Sequence, residues 1–159
     1  RRRPAPAAVD RGTDPGTDPG GAPVTDEVTY EVRPIGRVES VLRDREAAPK
    51  QGAGAPDAWL VFDPACAEGL RDLVVGAEVL VLTWFDRADR SVLVTRPRDD
   101  PANPLTGVFS TRSQDRPNPV GLHRVRVLAV DPPRVRVRDL EAVDGTPVVD
   151  VKPVIGGGR

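Results

Sequence analysis

The segment from Gly107 to Leu122, GVFSTRSQDRPNPVGL, places side chains that can bind charged ligands between two short apolar runs. Pro117 and Pro119 each fix the backbone φ angle at about −65° and lack an N–H group, which argues against a core strand. The residue before each proline is also driven toward extended geometry. We therefore expect a stiff binding loop; the alternative is a proline-rich connection with solvated arginines. The side chains that such a loop would hold are Arg112, Ser113, Arg116 and Asn118.

The composition favours one soluble domain with a core of valine and leucine. The chain has 159 residues, of which 38% are hydrophobic and 4% aromatic, and its formal net charge is −1. No global field then draws it to nucleic acid, so RNA binding would need a local basic patch. A single Cys66 and a single His123 rule out an internal disulfide and make a zinc site unconvincing, so no metal is expected.

The ends differ in composition from the middle of the chain. Residues 1–28 are rich in Pro, Gly, Asp and Ala, bury almost nothing and are predicted to be a disordered tail. Residues 29–155 form the predicted domain, and residues 156–159 a loose C-terminus. No apolar run approaches the ~18 residues of a membrane span, and the N-terminal residues lack the apolar region of a signal peptide. We therefore expect a cytoplasmic protein without a membrane partner.

Residues 29–155 read as mainly β structure, with one short helix predicted over residues 64–73. Residues 78–85 are almost continuously apolar, as in a strand buried on both faces. Two alternating segments flank Asp131-Pro132-Pro133 and predict a hairpin with a proline turn. Many short strands and one helix indicate a barrel or a sandwich. The predicted strands are residues 30–38 (interrupted by Pro34 and Gly36), 58–62, 78–85, 91–95, 122–130, 134–140 and 148–154.

The usual nucleotide-binding patterns are missing. A dinucleotide fingerprint needs a glycine-rich turn between a strand and a helix, whereas the glycine cluster here, residues 156–158, ends the sequence. No phosphate-binding P-loop is present, and Cys66 in an alanine-rich turn is a weak candidate for a thiol nucleophile. A Rossmann-type methyltransferase or dehydrogenase is therefore not expected.

Two further segments accompany the proline-rich loop. Residues 139–153, DLEAVDGTPVVDVKP, contain a tight-turn signature at Asp144-Gly145. Pro49-Lys50-Gln51 lies in a long loop rich in Gly, Ala and Pro. Alone, the first segment is a hairpin with a surface ion pair between Asp150 and Lys152, and the second is a flexible linker.

Together these residues resemble the TsaA-like family, also called TrmO or YaeB. GVFSTRSQDRPNPVGL is similar to its signature GVFATRSPxRPNPIGL, and DLEAVDGTPVVDVKP to DLLDGTPVLDIKPY. The early IGRVES and PKQ elements match as well. The resemblance implies a small single-domain β-barrel, a homodimer, and S-adenosylmethionine bound near the subunit interface. It also implies methylation of N6 of threonylcarbamoyladenosine beside the tRNA anticodon.

The resemblance carries a set of cofactor-binding residues onto this chain. Lys50 replaces the arginine of P-R-Q, Phe85-Asp86 replaces an aromatic–histidine pair, and Glu141 replaces the more usual aspartate. No catalytic residue is assigned; three carboxylates of the signature segments, Asp115, Glu141 and Asp144, stay equal candidates for a base. The implied cofactor set is Pro49, Lys50, Gln51, Phe85, Asp86, Arg87, Arg112, Leu122, Arg138, Asp139, Leu140 and Glu141.

An arginine-rich face is the feature that suits RNA. Period-two spacing puts arginines of two neighbouring strands on one sheet face, where they could contact phosphates or be a solvated face balanced by acids. These arginines are Arg124, Arg126, Arg134, Arg136 and Arg138. Two other functions stay open: a non-catalytic S-adenosylmethionine-binding module, and methyl transfer to another RNA or to a small molecule.

Overall fold

The computed structural model describes residues 28–44, 46, 48 and 54–156. These residues form eight strands and three 3₁₀ helices. The strands are β1 (Gly36–Glu39), β2 (Ala58–Phe62), β3 (Glu78–Trp84), β4 (Val94–Thr95), β5 (Thr106–Gly107), β6 (Val120–Asp131), β7 (Arg134–Arg138) and β8 (Pro147–Pro153). The 3₁₀ helices are Pro64–Leu70, Pro97–Asp99 and Val108–Ser110.

Six of the strands close into a barrel, in the order β1-β2-β7-β6-β3-β8, with β8 pairing back onto β1. Every neighbouring pair is antiparallel. Strands β4 and β5 form a separate two-stranded sheet. The predicted mainly β barrel with one short helix is therefore confirmed, and closure leaves the barrel without an unpaired edge.

The barrel interior is filled by small branched side chains, as the low aromatic content predicted. Strand β3 alternates strictly, with Val79, Val81 and Thr83 buried and the intervening residues half-buried. The prediction that this strand is buried on both faces was wrong. One face of the strand points into the closed barrel, and no helix layer of the described residues covers its outer face. The least exposed core side chains are Val38, Leu60, Val81, Val127, Val135, Val137, Leu140 and Val148.

Several element boundaries differ from those predicted. Strand β1 starts only at Gly36, where a side chain would meet the carbonyl oxygen of Val61 at 2.5 Å. The helix is a single 3₁₀ segment of seven residues, capped by the Asp63 side chain, which accepts from the backbone N–H of Ala65. Strand β4 is only two residues long, and its partner β5 was not predicted.

The β6–β7 hairpin forms as predicted, with Asp131 opposite Arg134 across the proline turn. Residues Val32–Arg159 make one compact unit. Of the other unit, Arg1–Glu31, only residues 28–31 are described, and they belong to no helix or strand. The predicted disordered tail and almost all of the loose C-terminus lie outside the described residues, so these two assignments and the domain limits 29–155 stay predictions.

Candidate functional site

The proline-rich loop is held by an arginine that the sequence did not single out for this role. The half-buried Arg116 donates hydrogen bonds to three backbone carbonyls, from Nε to Ser113 at 2.8 Å and from Nη2 to Val108 at 2.9 Å and Thr111 at 2.6 Å. A guanidinium suits this task because its donors project in fixed directions. The neighbouring Arg112 is exposed and makes no such bonds to the residues that the structure describes.

A second arginine holds the loop from outside the signature. Arg90 donates from Nε to the carbonyl oxygen of Pro117 at 2.7 Å and from Nη2 to Oδ1 of Asn118 at 3.3 Å. Its guanidinium also lies 5.6 Å from the centre of the Trp84 ring. The loop is thus fixed at both ends, which agrees with the stiffness predicted from its prolines.

Below this loop lies a buried polar network that links β3, β6 and the segment after β7. His123 is only 3% exposed. Its Nε2 lies 2.8 Å from Oγ1 of the fully buried Thr83, and its Nδ1 lies 2.8 Å from Oε1 of Glu141. We call Thr83, His123 and Glu141 the His123 network. Because an ionised carboxylate only accepts hydrogen bonds, Nδ1 must carry the proton of that contact.

Glu141 connects this network to the surface. Its side chain is about a quarter exposed, at 24%, and the Arg112 guanidinium acts on it electrostatically. Burial alone would raise the pKa of Glu141. The hydrogen bond and charge of His123, the backbone and the charge of Arg112 outweigh burial, so the pKa lies below its ordinary value. Glu141 is therefore ionised near neutral pH.

Gly121 makes room for the network. A Cβ atom at this position would lie 2.2 Å from Oγ1 of Thr83, 2.5 Å from Cζ of Phe85 and 2.8 Å from Nε2 of His123. The Phe85 ring meets the His123 ring edge to face, with centroids 6.0 Å apart and an angle of 87°. The glycine of the signature thus has a packing role.

The structure brings only part of the predicted cofactor set together. Phe85, Arg112 and Glu141 converge on the His123 network, whereas Leu122 points to the opposite, outer face of β6 and is 44% exposed. Leu140 is fully buried in the core, so it can reach a ligand only through its backbone. Asp86 and Arg87 are exposed in the turn after β3. Pro49, Lys50 and Gln51 lie outside the described residues.

The remaining two predicted residues border the arginine-rich face. Arg138 and Asp139 line a surface depression of about 390 Å³ together with Glu78, Arg124, Val125 and Arg126. We call this depression the arginine hollow. Arg126 and Arg138 are direct cross-strand partners, an arrangement that is unfavourable for two like charges.

Acidic residues balance most of the arginine-rich face. Glu78 pairs with Arg124 at 2.5 Å and with Arg126 at 3.3 Å, and the hydrogen bond and charge of Arg124 hold its pKa below the ordinary value. Arg134 pairs with Asp131 and lies over the Trp59 ring, and Arg136 pairs with Asp57. Within the described part of the chain, Arg138 has no ion pair or hydrogen bond to its side chain.

An apolar surface lies on the segment that contains β4 and β5. Four large hydrophobic side chains of residues 93–109 are more than half exposed, and we call this segment the apolar hairpin. The four are Leu93, Val94, Leu105 and Phe109. Large exposed apolar side chains that lie close together in the sequence make this segment a candidate interaction surface.

The described residues contain neither a membrane-spanning helix nor a group of side chains that could bind a metal. None of their helices has both the length and the apolar character needed to cross a membrane. In residues 28–44, 46, 48 and 54–156, no three His, Cys, Asp or Glu side chains are grouped in a way that could hold a metal ion.

His123, the central residue of the site, was not predicted from the sequence, where it entered only as an unconvincing zinc ligand. It lies on the inward-facing side of β6, between Gly121 and Val125. A histidine at such a position must find polar partners. That spacing was the signal available in the sequence, while the identity of the partners depended on how the later segment folds back.

Comparison with known proteins gives consistent matches. Residues 37–157 match the family described as tRNA-methyltransferase O N-terminal domain. An S-adenosyl-L-methionine-binding protein of Archaeoglobus fulgidus is 40% identical over 123 residues, 76% of this chain and 86% of that protein. A relative from Methanothermobacter thermautotrophicus, named a probable S-adenosyl-L-methionine-binding protein, is 38% identical over 128 residues, 80% of this chain and 91% of its own.

A solved structure shares the fold. The crystal structure of TrmO from Pseudomonas aeruginosa matches with a TM-score of 0.66 and 31% identity, covering 82% of this chain and 58% of that one. The chain thus spans little more than half of that protein, and only 33% of a further relative from Archaeoglobus fulgidus.

Proposed function

Because the chain belongs to the tRNA-methyltransferase O N-terminal domain family, we propose that it is an S-adenosylmethionine-dependent tRNA methyltransferase. Its proposed target is N6 of threonylcarbamoyladenosine in the anticodon loop. The observation that carries the proposal is that the two signature segments meet, because Arg112 of the first acts on Glu141 of the second. Glu141 also contacts His123, the residue that directly follows the first segment.

The side chains present at this site suit the cofactor. The amino-acid end of S-adenosylmethionine is a zwitterion, and Arg112 is an exposed guanidinium able to bind a carboxylate. Leu122 offers a partly exposed apolar contact on the outer face of β6, opposite to that of His123. When bound, the cofactor supplies a methyl group on a positively charged sulfur. Eleven of the twelve residues inferred from the family resemblance remain the proposed binding set, and the twelfth, Glu141, borders the cofactor without holding it.

The fixed loop would serve the reaction by positioning. Methyl transfer needs in-line approach and exclusion of water more than it needs bond-making groups of the protein. Arg116 and Arg90 immobilise the backbone on either side of Arg112, so that Arg112 can hold a ligand at little further loss of conformational freedom.

The proposed RNA partner fits the arginine hollow. Arg138 has no acidic partner among the described residues, and Arg126 lies directly opposite it. A phosphate between these two guanidinium groups would relieve their repulsion. Arg138 also lies three residues before Glu141, so a phosphate bound there would be close to the proposed reaction site.

The apolar hairpin suggests that a second copy of the chain completes the protein. Burial of Leu93, Val94, Leu105 and Phe109 against an equivalent surface would remove these apolar groups from water. We propose a homodimer, in agreement with the family resemblance, and a cytoplasmic protein, since that is where its tRNA substrate would be found.

A methyl-transfer assay tests the proposed function. The protein is incubated with S-adenosylmethionine and tRNA that either carries or lacks the threonylcarbamoyl group, and the nucleosides are analysed by mass spectrometry. We expect methylation only of the tRNA that carries the group. Binding of the cofactor without transfer to either tRNA would instead support the non-catalytic module, and transfer to both would indicate another RNA target.

A further inference from the structure

Of the three carboxylates that the sequence left as equal candidates for a base, Asp115 and Asp144 are already used to hold the backbone. Asp115 accepts from the backbone N–H of Asp89 at 2.9 Å. Asp144 accepts from the backbone N–H of Ser40 at 3.0 Å through Oδ1 and pairs with Arg43 through Oδ2. Both side chains therefore fasten loops, and a proton acceptor is better sought elsewhere.

Glu141 differs from both of them. Its carboxylate pairs with the buried His123 at 2.8 Å, its side chain is 24% exposed, and the Arg112 guanidinium of the proline-rich loop acts on it electrostatically. His123 is in turn anchored by Thr83 and confined by the Phe85 ring. A partly exposed carboxylate held by a buried imidazole has the arrangement of a supported general base.

We propose that Glu141 is the proton acceptor of the reaction and that His123 is the positioning residue that aims its carboxylate. This inference rests on the proposed function, which it deepens by assigning the base. It departs from the family resemblance, which implies only cofactor binding for Glu141.

The proposed step conserves atoms and charge. The N6 lone pair forms the new N–CH₃ bond while the S–CH₃ bond breaks and its electron pair stays on sulfur, and the N6 proton passes to Glu141. The threonylcarbamoyl group makes this proton more acidic than that of an unmodified adenine amine, so a carboxylate is a strong enough base. Glu141 then releases the proton to solvent through its exposed side.

Two groups control the charge of Glu141. Among the described residues, two titratable or charged side chains act on Glu141: His123 on β6 and Arg112 on the proline-rich loop. Both lower its pKa, against the opposing effect of burial. Without His123, the effect of burial on Glu141 would be opposed less strongly, so the pKa of Glu141 would rise. The loss of activity toward acid pH would then begin at a higher pH.

Four variants test the inference: Glu141→Gln, His123→Leu, His123→Asn and, as a matched control, Glu68→Gln. The control changes an exposed glutamate that pairs with Arg71 on the 3₁₀ helix, outside the signature segments. For each we would measure kcat and KM against pH for tRNA carrying the threonylcarbamoyl group, and the calorimetric affinity for S-adenosylhomocysteine. NMR titration of the carboxyl carbon of Glu141 follows its pKa independently of activity.

We expect Glu141→Gln to lower kcat at least about 100-fold with little change in S-adenosylhomocysteine affinity, and Glu68→Gln to behave as wild type. In His123→Leu the acid limb of the rate profile and the carboxyl titration should both move to higher pH. His123→Asn, whose amide can donate in place of Nδ1, should restore most of the rate. If His123→Leu does not fold, the His123→Asn and Glu141→Gln variants still test the two proposed roles.

Near wild-type turnover in Glu141→Gln would overturn the inference alone. Loss of S-adenosylhomocysteine binding in that variant would also overturn it, by making Glu141 a cofactor ligand. An unchanged titration in His123→Leu would remove the positioning role of His123. Failure of the wild-type protein itself to methylate the tRNA would instead overturn the proposed function, and this inference with it.

Discussion

Position 121 of β6 has no side chain because the space is occupied by Thr83, Phe85 and His123. We expect Gly121→Ala to destabilise the fold by about 1–3 kcal/mol, since the added methyl group must displace well-packed neighbours. Chemical denaturation measures the effect. Gly107→Ala is the matched control, because a Cβ there meets nothing within 4 Å, and its effect should stay within about 0.5 kcal/mol. Equal stability of the two variants would contradict the packing role of Gly121.

The two neighbouring arginines of the loop have separable duties. Arg116 bonds three carbonyls and stabilises the loop, so Arg112 is left for a ligand. A lysine lacks the planar fork of a guanidinium. We expect Arg112→Lys to lower methyl transfer at least about tenfold, or roughly 1.4 kcal/mol in the barrier, with an unchanged thermal midpoint. Turnover close to that of the wild type would remove Arg112 from the site.

At the scale of elements, the β6–β7 hairpin bears the proposed RNA contacts. The acids that neutralise Arg124, Arg134 and Arg136 should reduce their contribution. Arg126 shares Glu78 with Arg124 at the longer distance of 3.3 Å, and Arg138 has no acidic partner among the described residues, so the arginine hollow should contribute most through these two. Each lost phosphate contact lowers the slope of log affinity against log salt by roughly 0.7 to 0.9. The double variant Arg126→Ala/Arg138→Ala should therefore show a flatter salt dependence of tRNA binding.

Charge-matched comparisons make this measurement specific. Arg71→Ala, on the 3₁₀ helix, removes an arginine away from the hairpin and should leave the slope unchanged. Replacing Arg124, Arg126, Arg134 and Arg136 together would test the face without Arg138. A slope in that quadruple variant equal to that of the wild type would mean that these four arginines are only solvated. Cofactor binding should be unaffected in the quadruple variant, which keeps Arg138 of the proposed cofactor set.

The elements that the sequence predicted best are those whose signal is local. Alternation with period two was sufficient for β6 and β7, and short runs rich in apolar residues indicated β2 and β8. The β4–β5 pairing was missed because two residues per strand carry no periodicity, and their pairing depends on contacts between positions 11 and 13 residues apart. The helix prediction was correct in place but extended three residues too far, since Pro64 and Gly69 limit it to a short 3₁₀ segment.

At the scale of the whole molecule, the apolar hairpin is the surface proposed to join two chains. We expect Leu105→Asp to convert a dimer to a monomer, because a charge would be buried without a partner. Sedimentation or light scattering measures the mass. Val74→Asp is the control, since Val74 lies outside the hairpin and is as exposed as Leu105, at 63% against 64%. A Leu105→Asp protein that remains dimeric would place the interface elsewhere.

How the site comes together could be predicted only in part. The sequence identified both signature segments and Arg112, because their residue types and order are visible along the chain. It could not rank Asp115, Glu141 and Asp144, since their difference lies in partners far away in sequence: Asp89, His123 and Ser40. Long-range hydrogen bonds of this kind are determined by barrel closure rather than by local pattern.

The most direct test of the central claim uses S-adenosylmethionine with a deuterated methyl group. The full-length protein is incubated with it and with tRNA carrying threonylcarbamoyladenosine, and fragmentation of the isolated nucleoside locates the label. The account predicts a deuterated methyl group on N6 of that nucleoside and none in matched tRNA lacking the modification. Absence of label from the modified nucleoside, with S-adenosylmethionine bound to a folded protein, would contradict it.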